Sequence, residues 1–291
     1  MRRDARFNSA GALWMIAAMA GFAVEDAFLK SAASHLPLGQ VMALMGLAGA
    51  MVFASLTAWQ GQSLFPAALF ARTMIVRSGF EVVGRLFYAL AVALTPISTA
   101  SAVLQATPLV VVLGAALLFG EKVGALRWAL IGLGFVGVMV IVRPGVEGFD
   151  ERSLLAVVGL IGFAGRDLAT RAAAPSLSMA QLGVAGFAVL AVAGLVLMGW
   201  SGAAAWPSPL AWAQIAGTTG FGVLGYGALT VAMRTGEVSA VTPYRYTRLL
   251  FAMALGTIYF GERPDGANLI GAALIVGCGM VLLATGRRSK A

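Results

Sequence analysis

Long apolar segments, separated by short connections rich in Pro, Gly and Ser, follow one another along the whole chain. A helix needs about 20 apolar residues to cross the hydrocarbon core of a bilayer, and each segment is close to that length. The pattern therefore predicts an all-α polytopic membrane protein with ten transmembrane helices. The predicted spans are residues 10–30, 38–59, 72–94, 97–119, 125–142, 152–171, 178–200, 208–233, 238–260 and 266–285.

The composition supports this class and narrows the chemistry. Of the 291 residues, 60% are hydrophobic and only 11% are charged, whereas soluble proteins carry about 25% charged residues. The 37 glycines favour close contacts between membrane helices. Cys278 is the single cysteine and His35 the single histidine. The sequence therefore predicts neither an internal disulfide nor a metal cluster, and we expect no cofactor.

The net charge of +8 comes from basic residues that gather at the ends of the predicted spans, which is typical of membrane topology rather than of nucleic-acid binding. Eleven of these residues lie on the side of the N-terminus and four on the other side. The positive-inside rule then places both termini in the cytoplasm, with the chain in a bacterial inner membrane. The first segment contains Glu25 and Asp26 and lacks a convincing cleavage site, so we expect a retained span rather than a signal peptide.

The chain matches itself at a constant shift of 141 positions, which places residue 21 on residue 162. We therefore predict two halves, 1–146 and 147–291, with five spans each. Five is odd, so the second half enters the membrane from the opposite side. Inverted repeats of this kind are typical of secondary transporters, whose substrate site lies near the midplane. The matching stretches are GFAVEDAFLK (21–30) with GFAGRDLATR (162–171), GFEVVG (79–84) with GFGVLG (220–225), and FGEK (119–122) with FGER (260–263).

These features together resemble the EamA type of the drug/metabolite transporter superfamily. The resemblance rests on the five-plus-five inverted repeat, a TP-S-A pattern (95–100) before span four, and Gly-Glu-Lys or Gly-Glu-Arg after spans four and nine. It covers nearly the whole chain. It implies that spans 3, 4, 8 and 9, with spans 1 and 6, surround a central cavity, while spans 5 and 10 lie at the periphery. It also implies transport of a small metabolite by ion coupling or exchange, but it does not define the substrate.

Span nine contains the stretch TPYRYTRLL (242–250), whose polar residues interrupt an apolar run. At 1.5 Å per residue, Arg245 and Arg248 lie about 9 and 13 Å from the cytoplasmic end of the span. An arginine at that depth costs roughly 2.5–3.5 kcal/mol on insertion scales, so both are expected to face the bundle interior or a wet cavity. They are three residues apart and share a face, which Tyr244 flanks.

Charged residues also occur within three other spans. In span three, Arg77, Glu81 and Arg85 are four residues apart and share a face, so Glu81 is able to pair with either arginine, and Tyr88 follows one turn later. Together with Arg245 and Arg248, the spans hold five arginines against four acids, which leaves one arginine in surplus. The remaining members are Glu25 and Asp26 of span one and Arg166 and Asp167 of span six.

One interpretation of these charges is structural, since buried ions persist mainly when they are paired. The alternative, which the surplus arginine favours, is a site for a metabolite with a carboxylate or phosphate, because a guanidinium binds either group bidentately. Tyrosines would then stack on a planar part of the substrate. The candidate substrate-binding residues are Arg77, Glu81, Arg85, Tyr88, Gln105, Tyr226, Tyr244, Arg245, Tyr246 and Arg248. The candidates for proton coupling or gating are Glu25, Asp26, Arg166 and Asp167.

Other functions stay open on the sequence alone. The acids with their tyrosines would suit a cationic or zwitterionic metabolite, such as an amino acid or a nucleoside-like compound. A lipid flippase of the same fold is a further alternative. A membrane enzyme and a channel are less favoured, because the chain shows neither a catalytic cluster nor a continuous polar pore. The sequence does not decide between a monomer and a homodimer.

Three further groups of residues receive structural interpretations. Gly159, Gly162 and Gly165 indicate close packing of span six against another helix. Pro108 and Pro243 lack a backbone donor and are expected to loosen spans four and nine. Glu121 and Glu262 come just before the next helices, and each is expected to stabilise the start of the helix that follows it.

Overall fold

A computed structural model describes residues 2–119, 124–143, 150–172, 177–235 and 242–288 of the chain. The described residues form a bundle of helices joined by short connections. Short 3-10 turns precede α3, at Ala67–Phe70, and α10, at Thr242–Tyr246. The helices are α1 (Arg2–Ala33), α2 (Leu38–Trp59), α3 (Arg72–Leu94), α4 (Ile97–Leu104), α5 (Thr107–Phe119), α6 (Ala125–Val142), α7 (Ser153–Ala172), α8 (Met179–Ser201), α9 (Pro209–Thr235), α10 (Thr247–Phe260) and α11 (Gly266–Arg288).

The helices overlap the predicted spans, with two departures: span four is broken into α4 and α5, and the described α-helix of span nine begins only at Thr247. Pro108 explains why α4 ends at Leu104. In a continuous helix its ring would clash with the Leu104 carbonyl, and proline has no backbone N–H to donate to that carbonyl. The Thr107 hydroxyl donates instead to the Leu104 carbonyl at 2.5 Å. In span nine, Pro243 lies in the 3-10 turn before α10. The predicted boundary between residues 146 and 147 lies outside the described residues, as does Glu121.

The most extensive helix contacts join helices from different halves. They pair α1 with α9, α3 with α7, α2 with α8, and α6 with α11. A shift of 141 positions converts the α1–α9 pair into the α7–α3 pair and leaves the other two pairs unchanged. The packing is therefore symmetric under exchange of the two halves.

The α1–α9 and α3–α7 crossings are close because glycines lie where the helices meet. A methyl group at Gly162 of α7 would overlap the backbone of Gly84 in α3, and one at Gly21 of α1 would lie only 3.1 Å from the Cα of Gly225 in α9. The 141-residue shift converts one of these glycine pairs into the other. The predicted close packing of α7 is confirmed, because Gly159 and Gly165 also lie against α3.

Within the described residues, five helical segments are long and apolar enough to cross a membrane. They share the bundle with α3, in which Arg77, Glu81 and Arg85 interrupt the apolar sequence. Trp59 and Trp200, at the ends of two of these segments, are highly exposed, as expected of residues in the interfacial region. The five segments are Ser9–Ala33, Leu38–Trp59, Ile97–Leu118, Met179–Ser201 and Pro209–Met233.

Candidate functional site

Glu81 lies at the centre of a group of arginines inside the bundle. Its carboxylate is 2.9 Å from Arg77 Nη1 and 3.9 Å from Arg85 Nε, on the turns of α3 before and after it. Arg166 Nη1 of α7 lies 3.8 Å away on the same carboxylate. The spacing of four residues along α3 thus brings the expected pairs together. Glu81 is almost fully buried, so the arginines are what make its charge tolerable.

Arg85 extends this group to α1, because its Nη1 lies 3.8 Å from Glu25 Oε1. Helix α9 covers Glu25 from the other side. Gly222 of α9 has no side chain there, and a Cβ at that position would lie 3.3 Å from Glu25 Oε1. The Thr218 hydroxyl donates to the Glu25 carbonyl at 3.1 Å. Glu25 is therefore a buried partner of Arg85, held between three helices.

Asp26 is the centre of a second group, on the α4–α10 side of α1. Arg248 Nη2 donates to Asp26 Oδ2 at 2.7 Å, and the Tyr88 hydroxyl donates to the same oxygen at 2.9 Å. Arg248 also lies between two rings, with its Cζ 5.4 Å from the centroid of Phe22 and 5.2 Å from that of Tyr88. Cation–π contacts of this kind add to the ion pair. Arg248 is thus held by an ion pair and two rings, although its Nε has no hydrogen-bond partner among the described residues.

Helix α4 contributes a polar stripe that the sequence interpretation recognised only in part. Ser101 Oγ lies 3.3 Å from the Tyr88 hydroxyl, and Ser101 was not among the expected site residues. Ser98, Ser101 and Gln105 are spaced at intervals of three and four residues, which places them on one helical face. That periodicity in an otherwise apolar segment is the signal that could have identified Ser101.

The pair of Arg166 and Asp167 lies toward the Arg77 end of α3, whereas Asp26 contacts Tyr88, eleven residues after Arg77 on that helix. Arg166 Nε and Nη2 donate to Asp167 Oδ1 at 3.0 and 2.8 Å, and the guanidinium lies 4.9 Å from the ring centroid of Phe163. The Asp167 side chain is 28% exposed, whereas that of Asp26 is 7% exposed. Asp167 is thus the more accessible of these two acids.

Arg245 differs from the other four interior arginines. Within the described part of the chain, it has no carboxylate oxygen within 4.0 Å of its guanidinium. Asp167 exerts the largest favourable electrostatic effect on it from further away. The backbone carbonyl of Arg245 accepts a hydrogen bond from Gln105 Nε2 at 3.1 Å, which ties the 3-10 turn to the end of α4. Its side chain is only half-buried. Arg245 is the surplus cation that the sequence indicates.

Of the remaining tyrosines, Tyr226 lies within electrostatic range of Glu81 and its arginines. Tyr226 packs against Phe53 and Phe187, with ring centroids 5.4 and 6.5 Å apart. Tyr246 is buried against Gly279 of α11, and its hydroxyl has no hydrogen-bond partner among the described residues. Tyr244 is 41% exposed. Neither Tyr244 nor Tyr246 donates a side-chain hydrogen bond to an interior acid in the described part of the chain, and a substrate role for them stays a prediction.

Glu262 stabilises a different helix from the one expected. Its carboxylate accepts hydrogen bonds at the start of α4, not at the start of α11. Asp265 takes the position at α11, where Asn268 N donates to Asp265 Oδ1 at 2.9 Å. The difference arises because the backbone after α10 turns the Glu262 side chain back toward the bundle.

Among the described residues, no group of three or more His, Cys, Asp or Glu side chains is arranged to hold a metal ion.

Comparison with known proteins identifies relatives of the whole chain. The model of the EamA-like transporter family matches residues 9–143 and again residues 153–285, which confirms the resemblance inferred from the sequence. A riboflavin transporter of Rhizobium johnstonii is 27% identical over 288 residues, which cover 94% of this chain and 90% of the relative. The pseudopaline exporter CntI of Pseudomonas aeruginosa is 27% identical over 275 residues, which cover 91% of this chain and 93% of the exporter.

Two further matches extend this comparison. An S-adenosylmethionine uptake transporter of Rickettsia prowazekii is 26% identical over 201 residues, which cover 67% of this chain and 66% of that transporter. A protein of known crystal structure superimposes with a TM-score of 0.63 at 20% identity, over 94% of this chain and 98% of the other. The structural match supports the fold alone. The named relatives are transporters and not enzymes, and they act on small molecules.

Proposed function

Because the chain belongs to the EamA-like transporter family, we propose that it is a secondary active transporter of a small organic metabolite that bears a carboxylate or phosphate. Membership of the family and the apolar helices make it an integral membrane protein that transports a metabolite. The proposed chemical class of the substrate, an organic anion, goes beyond the family and is supported by the charged residues inside the bundle.

Arg245 is the observation that carries this proposal. An uncompensated guanidinium inside a bundle is costly, because the desolvation penalty is not repaid by a nearby opposite charge. A substrate anion would supply the missing charge, and the planar donor fork of arginine suits a carboxylate or phosphate. The side chain is half-buried, as are those of Arg85 and Arg248, so the missing ion pair rather than its exposure sets Arg245 apart. We therefore assign the anion-binding role to Arg245.

The other arginines have partners already and take supporting roles. Arg248 is held by Asp26 and Tyr88, and Arg85 is shared between Glu25 and Glu81. We propose that these pairs fix the helices around the cavity. Asp167 is the candidate for gating, because it is the most accessible interior acid and lies on the side of Arg245. Glu25 is the better candidate for proton coupling, because its buried carboxylate lies 3.8 Å from Arg85, whereas Asp167 accepts two hydrogen bonds from Arg166. Exchange of one anion for another is the alternative mode of coupling.

Alternating access between two inverted halves, 1–146 and 147–291, is the proposed mechanism. It is supported by helix packing that is symmetric under exchange of the halves and by ten helical segments, with α4 and α5 taken as one. Two similar halves are able to exchange conformations around a central site. We place the chain in a bacterial inner membrane with both termini in the cytoplasm, which is supported by its bacterial relatives and by the distribution of basic residues.

A planar portion on the substrate is a further part of the proposal. The relatives include transporters named for riboflavin and S-adenosylmethionine, and both molecules contain a planar heteroaromatic ring. Phe163 lies beside Arg166, and Tyr226 is only half-buried beside Phe187. Aromatic faces at these positions are suited to stacking on such a ring.

A cationic or zwitterionic substrate is the second candidate. It is favoured by the exposure of Asp167, whose side chain is the most accessible of the four interior acids. A carboxylate in that position attracts a cationic group, and one of the named relatives takes up S-adenosylmethionine, which carries a sulfonium and an ammonium group. Saturable exchange of a soluble solute by reconstituted protein would separate either candidate from a lipid flippase.

A thermal-shift screen of the purified protein against soluble metabolites tests the assignment. A ligand of the folded state at 100 times its Kd stabilises it by about 2.7 kcal/mol, which corresponds to a rise in Tm of roughly 5 °C or more. We expect carboxylates or phosphates to stabilise the parent and an Arg152→Ala control, but not Arg245→Ala. Stabilisation by cationic or zwitterionic compounds alone, unchanged in Arg245→Ala, would overturn the anion assignment in favour of the second candidate.

A further inference from the structure

The carboxylate of Glu262 joins the two halves of the protein at one end of the bundle. Glu262 follows α10, and its Oε1 accepts from Ile97 N at 2.7 Å and from Lys30 Nζ at 3.2 Å. Its Oε2 accepts from Ser98 N at 3.2 Å and from Ser98 Oγ at 2.9 Å. The side chain is 8% exposed. A buried acid of the second half thus satisfies the first free N–H groups of α4, in the first half.

The backbone after α10 is shaped to aim this carboxylate. Gly261 has a φ of 62°, in the left-handed region that favours glycine. This conformation ends α10 and lets Glu262 N donate to the Gly256 carbonyl at 2.9 Å. The Glu262 side chain then runs across Gly256, where a Cβ would collide with Oε2. Gly256 is therefore required for the carboxylate to reach α4.

Lys30 ties α1 into the same group of contacts. Besides Glu262, its ammonium donates to the Thr95 carbonyl at 2.5 Å and lies 5.3 Å from the ring centroid of Phe260. Thr95 ends α3, so the contacts connect α1, α3, α4 and the α10–α11 connection. We call the set of Lys30, Thr95, Ile97, Ser98 and Glu262 the Glu262 latch.

The position of the Glu262 latch relates it to the two interior acids. Ser101 is three residues beyond Ser98 on α4, about 4.5 Å further along the helix, and it belongs to the buried group of Asp26 and Tyr88. Asp26 thus lies about one helical turn from the latch, and its side chain is 7% exposed. Asp167, toward the Arg77 end of α3, is 28% exposed. The acid beside the latch is therefore the more deeply buried of the two.

We propose that the Glu262 latch is a gate that holds this end of the transporter closed and has to break before the interior opens to that side. The inference rests on the alternating access proposed above. The Glu262 carboxylate accepts hydrogen bonds from Lys30, from the backbone N–H groups of Ile97 and Ser98, and from the Ser98 hydroxyl. Loss of this one carboxylate therefore removes all four contacts. A change at Glu262 therefore shifts the balance between the closed and the open state.

Labelling of a buried cysteine measures this balance without any substrate. The background is the full chain with Cys278→Ala, which has no other cysteine, and the reporter is Ser101→Cys. A membrane-impermeant, charged methanethiosulfonate is applied to right-side-out and to inverted membrane vesicles. We expect Glu262→Gln, Gly256→Ala and Lys30→Met each to raise the labelling rate about tenfold, and only from the face on which the latch lies. This face is opposite to that of the N-terminus, because the latch lies at the end of α1.

Two controls make the result specific. Asp265→Asn removes the same charge from the same connection, but Asp265 pairs with Arg143, so the labelling rate should equal that of the parent. A second reporter, Thr57→Cys at a buried position of α2, should stay unlabelled, which separates opening from unfolding. If both reporter cysteines are labelled in the Glu262→Gln variant, that variant has unfolded. The Gly256→Ala and Lys30→Met variants then test the gate in its place.

The proposal is overturned if the folded latch variants label Ser101→Cys at the parental rate, or equally from both faces. This outcome would leave the Arg245 assignment intact, because the thermal-shift screen does not depend on the latch. Conversely, a protein whose Arg245 binds no anion would still show one-sided opening when Glu262 is changed. The two proposals therefore fail separately.

Discussion

Asp26 and Asp167 occupy equivalent positions of the 141-residue repeat, yet their surroundings differ. Asp26 is buried and bound by Tyr88 and Arg248 from two other helices, whereas Asp167 is bound by Arg166, its neighbour in sequence, and is four times as exposed (28% against 7%). The repeat equivalent of Tyr88 is Leu229, which has no side-chain donor, and that of Arg248 is Thr107, which carries no charge. The same backbone position therefore serves as a fixed structural pair in one half and as an accessible acid in the other.

Removal of the unpaired cation is expected to have the largest effect on function. Arg245→Ala removes the charge-assisted hydrogen bonds to the substrate anion, which are worth up to about 3 kcal/mol, or roughly a hundredfold in affinity. Its Tm without ligand should equal or exceed that of the parent, because the guanidinium makes no ion pair within the described residues and its burial is costly. Uptake by proteoliposomes, with Arg245→Lys as a partial rescue, measures the effect. Retained transport by Arg245→Ala would exclude this role.

The comparison of the two acids predicts the next largest effect, on stability. Asp26→Asn leaves Arg248 buried without a counter-charge, and breaking such a pair costs about 3–5 kcal/mol. Asp167→Asn should cost about 1 kcal/mol or less, since its pair is partly solvated. Thermal unfolding of both variants in the same detergent tests this order. Arg248→Met added to Asp26→Asn should recover part of the loss. Equal losses for Asp26→Asn and Asp167→Asn would mean that the two sites are energetically alike.

The two glycine crossings permit a finer comparison. Gly162→Ala places a methyl group into the backbone of α3, and overpacking of this kind costs roughly 1–3 kcal/mol. Gly21→Ala meets Gly225 at 3.1 Å, so a small shift of α1 relieves the contact, and we expect a loss below about 1 kcal/mol. Unfolding in denaturant measures both. A larger loss for Gly21→Ala would show that the α1–α9 crossing is the more rigid one.

The smallest expected effect concerns the start of α11. Asp265 caps that helix, while its repeat equivalent at the start of α6 is Gly124. The hydrogen bond from Asn268 N, together with Arg143, lowers the pKa of Asp265. A lowered pKa gives stability that is present above the unfolded value of about 3.9 and is lost as the pH falls through the folded value. The side chain is 50% exposed, so the contribution should be below about 1 kcal/mol. Unfolding at pH 7 and below pH 4 should differ less for Asp265→Asn than for the parent.

The helices and the local charge pairs could be predicted from the sequence, because both depend on short-range spacing. Arg77, Glu81 and Arg85 meet as the helical period requires. The pairing of Arg248 with Asp26 joins residues 222 positions apart, and no local pattern specifies it. The partners of Glu262 were missed for the same reason, since α4 lies far from it in sequence.

Tyr244 shows where local reasoning went wrong. The expectation that it flanks Arg248 assumed a continuous helix at 3.6 residues per turn. The backbone from Thr242 to Tyr246 is a 3-10 turn, with about 3.0 residues per turn. Side chains before α10 are therefore rotated relative to those within it, and Tyr244 is exposed while Arg248 points to Asp26.

The close glycine crossings limit how the bundle is able to move. Each crossing joins a helix of one half to a helix of the other, with backbone almost touching backbone. Sliding of one half along the other is restricted at these crossings, because the two backbones are in direct contact with no side chains between them. The two helices are able to rock about the contact point, as two crossed rods do. The glycine pairs Gly21–Gly225 and Gly84–Gly162 would then be a pair of pivots, and the ends of the helices would travel while their centres stay in place.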